Sequence, residues 1–348
     1  MHFNILLTVN SKVMKKYELI IGIDVSKLKL DVCFLSMPRA KPLFHLVIEN
    51  NRKGMNKMLR EVKKISSNLN HVLFCFENTG LYGMYLSHFL SELGADFWEV
   101  PAIEIKRAKG ITRGKSDKVD ARDIAFYAHT HMHKIALSEF PEEVILKLKL
   151  LQTEREKLVK SIQMFERTNE VEGFIDKKIT RVVLISNRKT IRQLKKILRE
   201  IDDKINAIVK SNHKISEQDT LIRSVPGIGK QTALYLIIAT KCFTSFSNWR
   251  KMACYAGVAP FEYSSGSSIK GRTKVNHLAD KKLKSLLTMC ALSAKKHDKE
   301  IANYYERKLK EGKAPMLVMN AVKCKVLSRV FAVIKRETPF VNTYKFAA

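Results

Sequence analysis

Acidic residues are scarce. The 348-residue chain carries 34 Asp and Glu against 63 Lys and Arg, a formal net charge of +29, with the basic excess spread along the whole length. A field of that sign, at a pI near 9.8, favours a polyanion as partner. Long apolar runs are missing as well. None reaches the roughly 18 residues of a membrane-spanning helix, so nucleic acid is a better reading of the charge than a membrane. Cysteine is sparse and scattered: Cys33, Cys75, Cys242, Cys254, Cys290 and Cys324 stand far apart, mostly in apolar segments and never as CxxC. That excludes a zinc site or disulfide frame and leaves reduced core residues of a cytosolic protein. Proline is absent between Pro141 and Pro226, where Gly173 is the one glycine, so this stretch lacks the residues that punctuate turns. What is present is a 45% hydrophobic complement, over a length that exceeds one typical core and predicts two or three domains.

The opening "MHFNILLTVNSKVMKKYELIIGIDVSK" holds a short apolar piece without a following small-residue cleavage site, unlike a signal peptide. Met14 reads as the working start and residues 1–14 as a dispensable extension. From Tyr17, "YELIIGID", "KLDVCFLS" and "PLFHLVIEN" are short β-rich runs joined tightly enough for an antiparallel meander. A helical segment from Arg52 to Ser67 leads to "HVLFCFENTG", an apolar run expected of a buried parallel strand. "LYGMYLSHFLSELG" then has helical spacing and a closing Gly94, and "ADFWEVP" follows. The order βββ-α-β-α-β-α predicts an α/β domain of the ribonuclease H type over residues 15–138.

Residues 139–215 read as a coiled coil. Leu148, Leu151, Leu158, Ile162 and Phe165 take a/d positions with Arg155 interrupting the seam, and Ile191, Leu194, Leu198, Ile201, Ile205 and Ile208 repeat the spacing unbroken. The two arms can fold back as a hairpin or pair between subunits. Residues 216–348 form a mostly α-helical domain that opens with "LIRSVPGIGKQTALYLIIA". There the glycines Gly227 and Gly229 free backbone amides to face a phosphate, with Lys230 at the helix entry, as in a helix-hairpin-helix element.

Two clusters suggest chemistry. In "RAKGITRGKSDKVDAR", residues 107–122, Asp117 and Asp120 lie within a strongly basic run, and a helix starting after Ser116 projects both from one face. Alone, such a pair fits surface acids neutralised by neighbouring lysines as well as it fits a cation site. Asp24 closes the first strand and Glu77 the fourth, and these strands are neighbours in a ribonuclease H sheet. Four carboxylates then converge, and two Mg²⁺ ions are the expected means of neutralising them. The second cluster is "YAGVAPFEYSSGSSIKGRTKV", residues 255–275, with Ser264, Ser265, Ser267 and Ser268 around Gly266, followed by Lys270, Arg272 and Lys274. It reads as a flexible basic loop that contacts phosphate. A nucleophilic serine is the alternative, with His277 the nearest histidine in sequence.

Together "GIDVSK", "FENTG", "KSDKVDAR", "VPGIGKQTA" and "YAGVAPFEYSSGSSIKG", with the C-terminal "GKAPMLVMNAVKCKVLSRVFAVIKRETPF", resemble the DEDD-type insertion-sequence transposases, whose members include bridge-RNA-guided recombinases. The likeness covers essentially everything after Met14. It implies a RuvC-like N-terminal domain with Asp24, Glu77, Asp117 and Asp120 as metal-binding acids, a coiled coil, and a C-terminal transposase domain. The serine before the glycine of the SG motif, here Ser265, would become covalently linked to DNA, with Ser264 the lesser candidate. The implied partners are donor and target DNA, the element's own noncoding RNA as guide, and a homo-oligomer, dimer or tetramer, in the bacterial cytoplasm at the nucleoid, with no membrane. Lys115, Gly227, Gly229, Lys230, Lys270, Arg272 and Lys274 are the expected nucleic-acid contacts. The chain departs from many relatives after the serine loop, where "NHLADKKLK" replaces a Ser-Lys-x-Gly turn. Two other functions use parts of the same residues: a Mg-dependent junction-resolving endonuclease, which needs the acids but no serine, and a non-catalytic nucleic-acid-binding protein, which needs neither.

Overall fold

The computed structural model describes residues 17–108, 116–168, 176–265, 269–275 and 279–342. Lys115, His277 and the N-terminal extension lie outside the described residues. The chain divides into two units, Met1–Phe140 and Pro141–Ala348.

The first unit is built on a five-stranded mixed sheet. Strands β1 (Leu19–Val25), β2 (Lys29–Ser36) and β3 (Lys41–Glu49) form the antiparallel meander. β4 (Val72–Glu77) joins β1 in parallel and β5 (Asp96–Val100) joins β4 in parallel, giving the order β3-β2-β1-β4-β5. β1 and β4 are buried on both faces, which is why they read as continuous apolar runs, LIIGIDV and VLFCFE. One face, carrying Leu19, Ile21, Ile23, Phe74 and Phe76, packs on helices α1 (Arg52–Ile65) and α2 (Leu81–Glu92) through Met55, Met58, Val62, Leu86 and Phe89. The other face, carrying Ile20, Cys33, Leu73 and Cys75, takes Ile105 of α3 (Ala102–Ala108) and Ala121, Ile124, Ala125 and Ala128 of α4 (Asp117–Thr130).

The approach of α4 is unusually close, and its cause is Gly22. A Cβ there would lie 2.3 Å from the Ala121 carbonyl oxygen and 2.4 Å from the Ala125 amide nitrogen. Side chains two apart along a strand share a face, so Gly22 and Asp24 both look toward α4. The small residues at the crossing bring the first turn of that helix to the end of β1.

The second unit begins with α5 (Glu143–Thr168) and α6 (Lys177–Ser211). They pack against each other within the chain in antiparallel order, since Arg155 meets Asp202 at 2.7 Å and Glu166 meets Lys195 at 2.8 Å. Arg155, the polar break in the sequence seam, thus has a carboxylate across it. Leu158, Ile162, Ile191, Ile201 and Ile205 are the buried apolar residues along the seam. Its inner end runs into a core shared with α7 (His213–Arg223), α8 (Lys230–Ala239), α9 (Trp249–Tyr255), α10 (Lys281–His297), α11 (Lys299–Lys310) and α12 (Pro315–Arg336). Between α9 and α10, β6 (Pro260–Ser265) and β7 (Ile269–Val275) pair as an antiparallel ribbon. Composition there suggested a loop, but Phe261, Tyr263, Ile269, Thr273 and Val275 are strand formers and outweigh the serines. All six cysteines are free, with Cys33, Cys75, Cys242 and Cys290 buried.

Candidate active site

The end of β1 collects carboxylates because four local features aim them there. Asp24 is the next-to-last residue of β1, and Glu77 ends β4, one step beyond the last paired residues Ile23 and Phe76. Ser116 starts α4 as its N-cap, its hydroxyl accepting from the Val119 amide, and so places Asp117 and Asp120 in the first turn. Acids are favoured at that position by the helix dipole. The Gly22 contact then presses this turn against the sheet. Asp31, which sequence reasoning missed, stands directly across from Asp24 in the β1–β2 register.

The electrostatics follow from this crowding. Half-buried Asp24 has its pKa raised to about 6, first by desolvation and then by the charges of Asp120, Asp117, Asp31 and Glu77. The other three sequence-derived acids therefore all act on Asp24. Asp31 is almost fully buried and holds two partners, the Nε2 of His45 at 3.0 Å and the Nζ of Lys29 at 3.1 Å. The same Lys29 ammonium donates to Asp117 Oδ2 at 2.7 Å, and these two hydrogen bonds push its pKa up to about 12. Neither Lys29 nor His45 has a sequence signal, because their roles come from strand pairing.

By chemistry, hard carboxylate oxygens suit Mg²⁺. The arrangement does not yet meet that chemistry: among the described residues no group of three or more His, Cys, Asp or Glu is placed to hold a metal ion. Asp117 is drawn to Lys29 instead.

The serine cluster lies in the second unit. Ser265 ends β6, its backbone paired with Ile269, and Ser264 pairs with Lys270. Gly266, Ser267 and Ser268 lie outside the described residues; Lys270, Arg272 and Lys274 are on β7. The ribbon's base is tied down by Asp280, whose amide donates to the Tyr255 carbonyl and whose carboxylate caps α10 and accepts from the Tyr235 hydroxyl at 2.8 Å.

The two glycines of the turn between α7 and α8 prove to have different duties. Gly227 has φ +92°, and a Cβ on it would lie 2.5 Å from the Cys290 carbonyl oxygen of α10. It is required for packing. Gly229 is exposed with open space around it, and it precedes an α8 N-terminus that no side chain caps. Exposed Lys230 follows. Of the expected phosphate contacts in this turn, Gly229 and Lys230 are exposed and Gly227 is partly exposed.

Two family models match the chain: a transposase domain of the DEDD-type IS110 group over residues 21–177, and the transposase IS116/IS110/IS902 family over residues 219–306. The pilin gene-inverting proteins of Moraxella bovis and Moraxella lacunata are each 26% identical over 326 residues, covering 92% of this chain and 97% of theirs. An uncharacterized 43.6 kDa protein of insertion element IS110 from Streptomyces coelicolor is 29% identical over 140 residues, 40% of this chain and 33% of its own. The first match contains every carboxylate at the end of β1 and the second contains the serine ribbon and the α7–α8 turn. This chain is a DNA transposase and recombinase of the DEDD-type IS110 family.

Proposed function

We propose that the transposase cuts and rejoins DNA at chosen sites through a serine–DNA intermediate, with a ribonuclease H-like, RuvC-like first domain and a serine-bearing transposase domain. The observation that carries this reading is the gathering of acids at one sheet edge: Asp24 at the end of β1, Glu77 at the end of the neighbouring β4, and Asp117 and Asp120 in the first turn of α4, which Gly22 lets lie close against β1, an arrangement that a purely structural role does not require. Ser265 Oγ attacks the scissile phosphorus. The Ser–O–P bond forms as the bond to the leaving strand breaks, the serine proton passes to solvent or a base, and the leaving oxygen takes up a proton. Attack by a strand hydroxyl on the phosphoserine reverses the exchange and restores the serine, so rejoining needs no external energy source. The acids would hold Mg²⁺, two ions by the number of carboxylates, which when bound supplies positive charge beside the scissile phosphate.

Likeness along nearly the full length to proteins named for inverting a gene supports rejoining, since an inversion leaves no free ends. Gly227, Gly229, Lys230, Lys270, Arg272 and Lys274, with Lys115, would contact phosphates. A net charge of +29 suits a protein that holds donor DNA, target DNA and a noncoding guide RNA through their backbones; sequencing of RNA that copurifies with the protein tests the guide, and its absence from an active preparation removes it. A protein that cuts and rejoins cellular DNA would work in the bacterial cytoplasm at the nucleoid. Among the described residues no helix is long and apolar enough to cross a membrane.

Cleavage of junction DNA by two variants tests the mechanism. Both Ser265→Ala and Asp24→Asn are expected to lose strand cleavage by at least ~100-fold. Cleavage that survives Ser265→Ala but not Asp24→Asn would identify a hydrolytic junction nuclease, and binding unchanged in both with no cleavage by the parent would identify a binding protein.

A further inference from the structure

We infer that Lys29 is a built-in counter-ion for the carboxylate cluster, engaging Asp117 in an ion pair until a divalent cation displaces it. The inference rests on the reading of the four acids as cation ligands, and it accounts for why acids close enough to repel one another are not placed to share an ion.

Lys29 opens β2 and reaches two acids that belong to different elements, Asp31 on its own strand and Asp117 at the start of α4, at 3.1 and 2.7 Å. The two ends of this bridge differ. The Asp31 side chain is only 6% exposed and its other oxygen meets His45 Nε2 at 3.0 Å, so it is a fixed post. The Asp117 side chain is 50% exposed and that of Lys29 45%, so this end is open to water and exchangeable. An ammonium neutralises one charge and binds carboxylates through hydrogen bonds near 2.8 Å, whereas Mg²⁺ gathers oxygens at about 2.0–2.1 Å in an octahedron. Asp117 cannot satisfy both geometries at once. Loading the site therefore means releasing Asp117 from Lys29, while Asp31 and His45 retain the lysine beside the site. Lys29 is in this sense a positioning residue that competes with the ion.

The test is titration of the full-length protein with Mn²⁺ as the probe, followed by electron paramagnetic resonance, in the absence of nucleic acid. Lys29→Met should bind Mn²⁺ several-fold more tightly than the parent, because one competing cation is gone, and Lys29→Arg should stay within about twofold of the parent or below it. Equal or weaker binding by Lys29→Met, with parent binding still abolished by Asp24→Asn, would overturn the counter-ion role alone. Parent binding that survives Asp24→Asn combined with Glu77→Gln would overturn the reading of the acids as ligands, and this inference with it.

Discussion

Asp24 is held where ionisation is opposed by burial and by four neighbouring acids, and this has a cost in stability. Its folded-state pKa, about 6, lies above the ordinary carboxylate value of 3.8. The folded protein thus keeps its proton longer than the unfolded chain, and stability present at pH 4 is lost as pH rises through about 6. Without divalent cations, Asp24→Asn should be the more stable protein at pH 7.5, by on the order of 1 kcal/mol after allowing for solvent screening at a half-exposed group. The advantage should vanish near pH 4. Thermal melts at the two pH values measure it, and an Asn variant that is less stable at pH 7.5 would contradict the described electrostatics. At this scale the carboxylates were legible because each stands at a position with a pattern: the end of a β-rich run, or the first turn after a capping serine. Asp31, Lys29 and His45 were not, since β2–β3 pairing brings His45 to Asp31 from fourteen positions away and the packing of α4 brings Asp117 to Lys29 across 88 positions, and neither leaves a local periodicity.

Among the elements, the β1–α4 crossing decides whether the acids meet. Gly22→Ala would put a methyl group 2.3 Å from the Ala121 carbonyl oxygen, so α4 must retreat. The expected cost is about 1–3 kcal/mol of stability, accompanied by a loss of cleavage larger than the remaining folded fraction explains, as seen by comparing melts with cleavage rates at 20 °C. Unchanged cleavage would mean that α4 does not set the site. The glycine itself was plain in "GIDVSK", but which helix it faced was not, because strand sequence specifies a face and not its occupant. The long helices were legible from their 3,4 spacing. Whether the arms paired within or between chains was not, because an apolar seam is satisfied equally by either. With the seam filled inside the chain, α6 still exposes Ile179, Val182 and Val183.

Across the whole molecule, the acids belong to one unit and the serine ribbon to the other. The sequence changes from β-rich runs to a long stretch without proline and then to helices, from which three segments, 15–138, 139–215 and 216–348, were expected. The uniformly basic composition carried the class of partner but not its docking face, since charge spread along the full length singles out no surface. The central claim is that the two sites serve one reaction, in which Ser265 becomes joined to DNA with the help of the acids. The most direct measurement is to incubate the protein with Mg²⁺, guide RNA and junction DNA, denature it, digest it, and identify the peptide that carries nucleotide by mass spectrometry. The account predicts an adduct on Ser265, absent from Ser265→Ala and from Asp24→Asn. Nicked DNA without any adduct, or an adduct that persists in the Asp24→Asn protein, would contradict it.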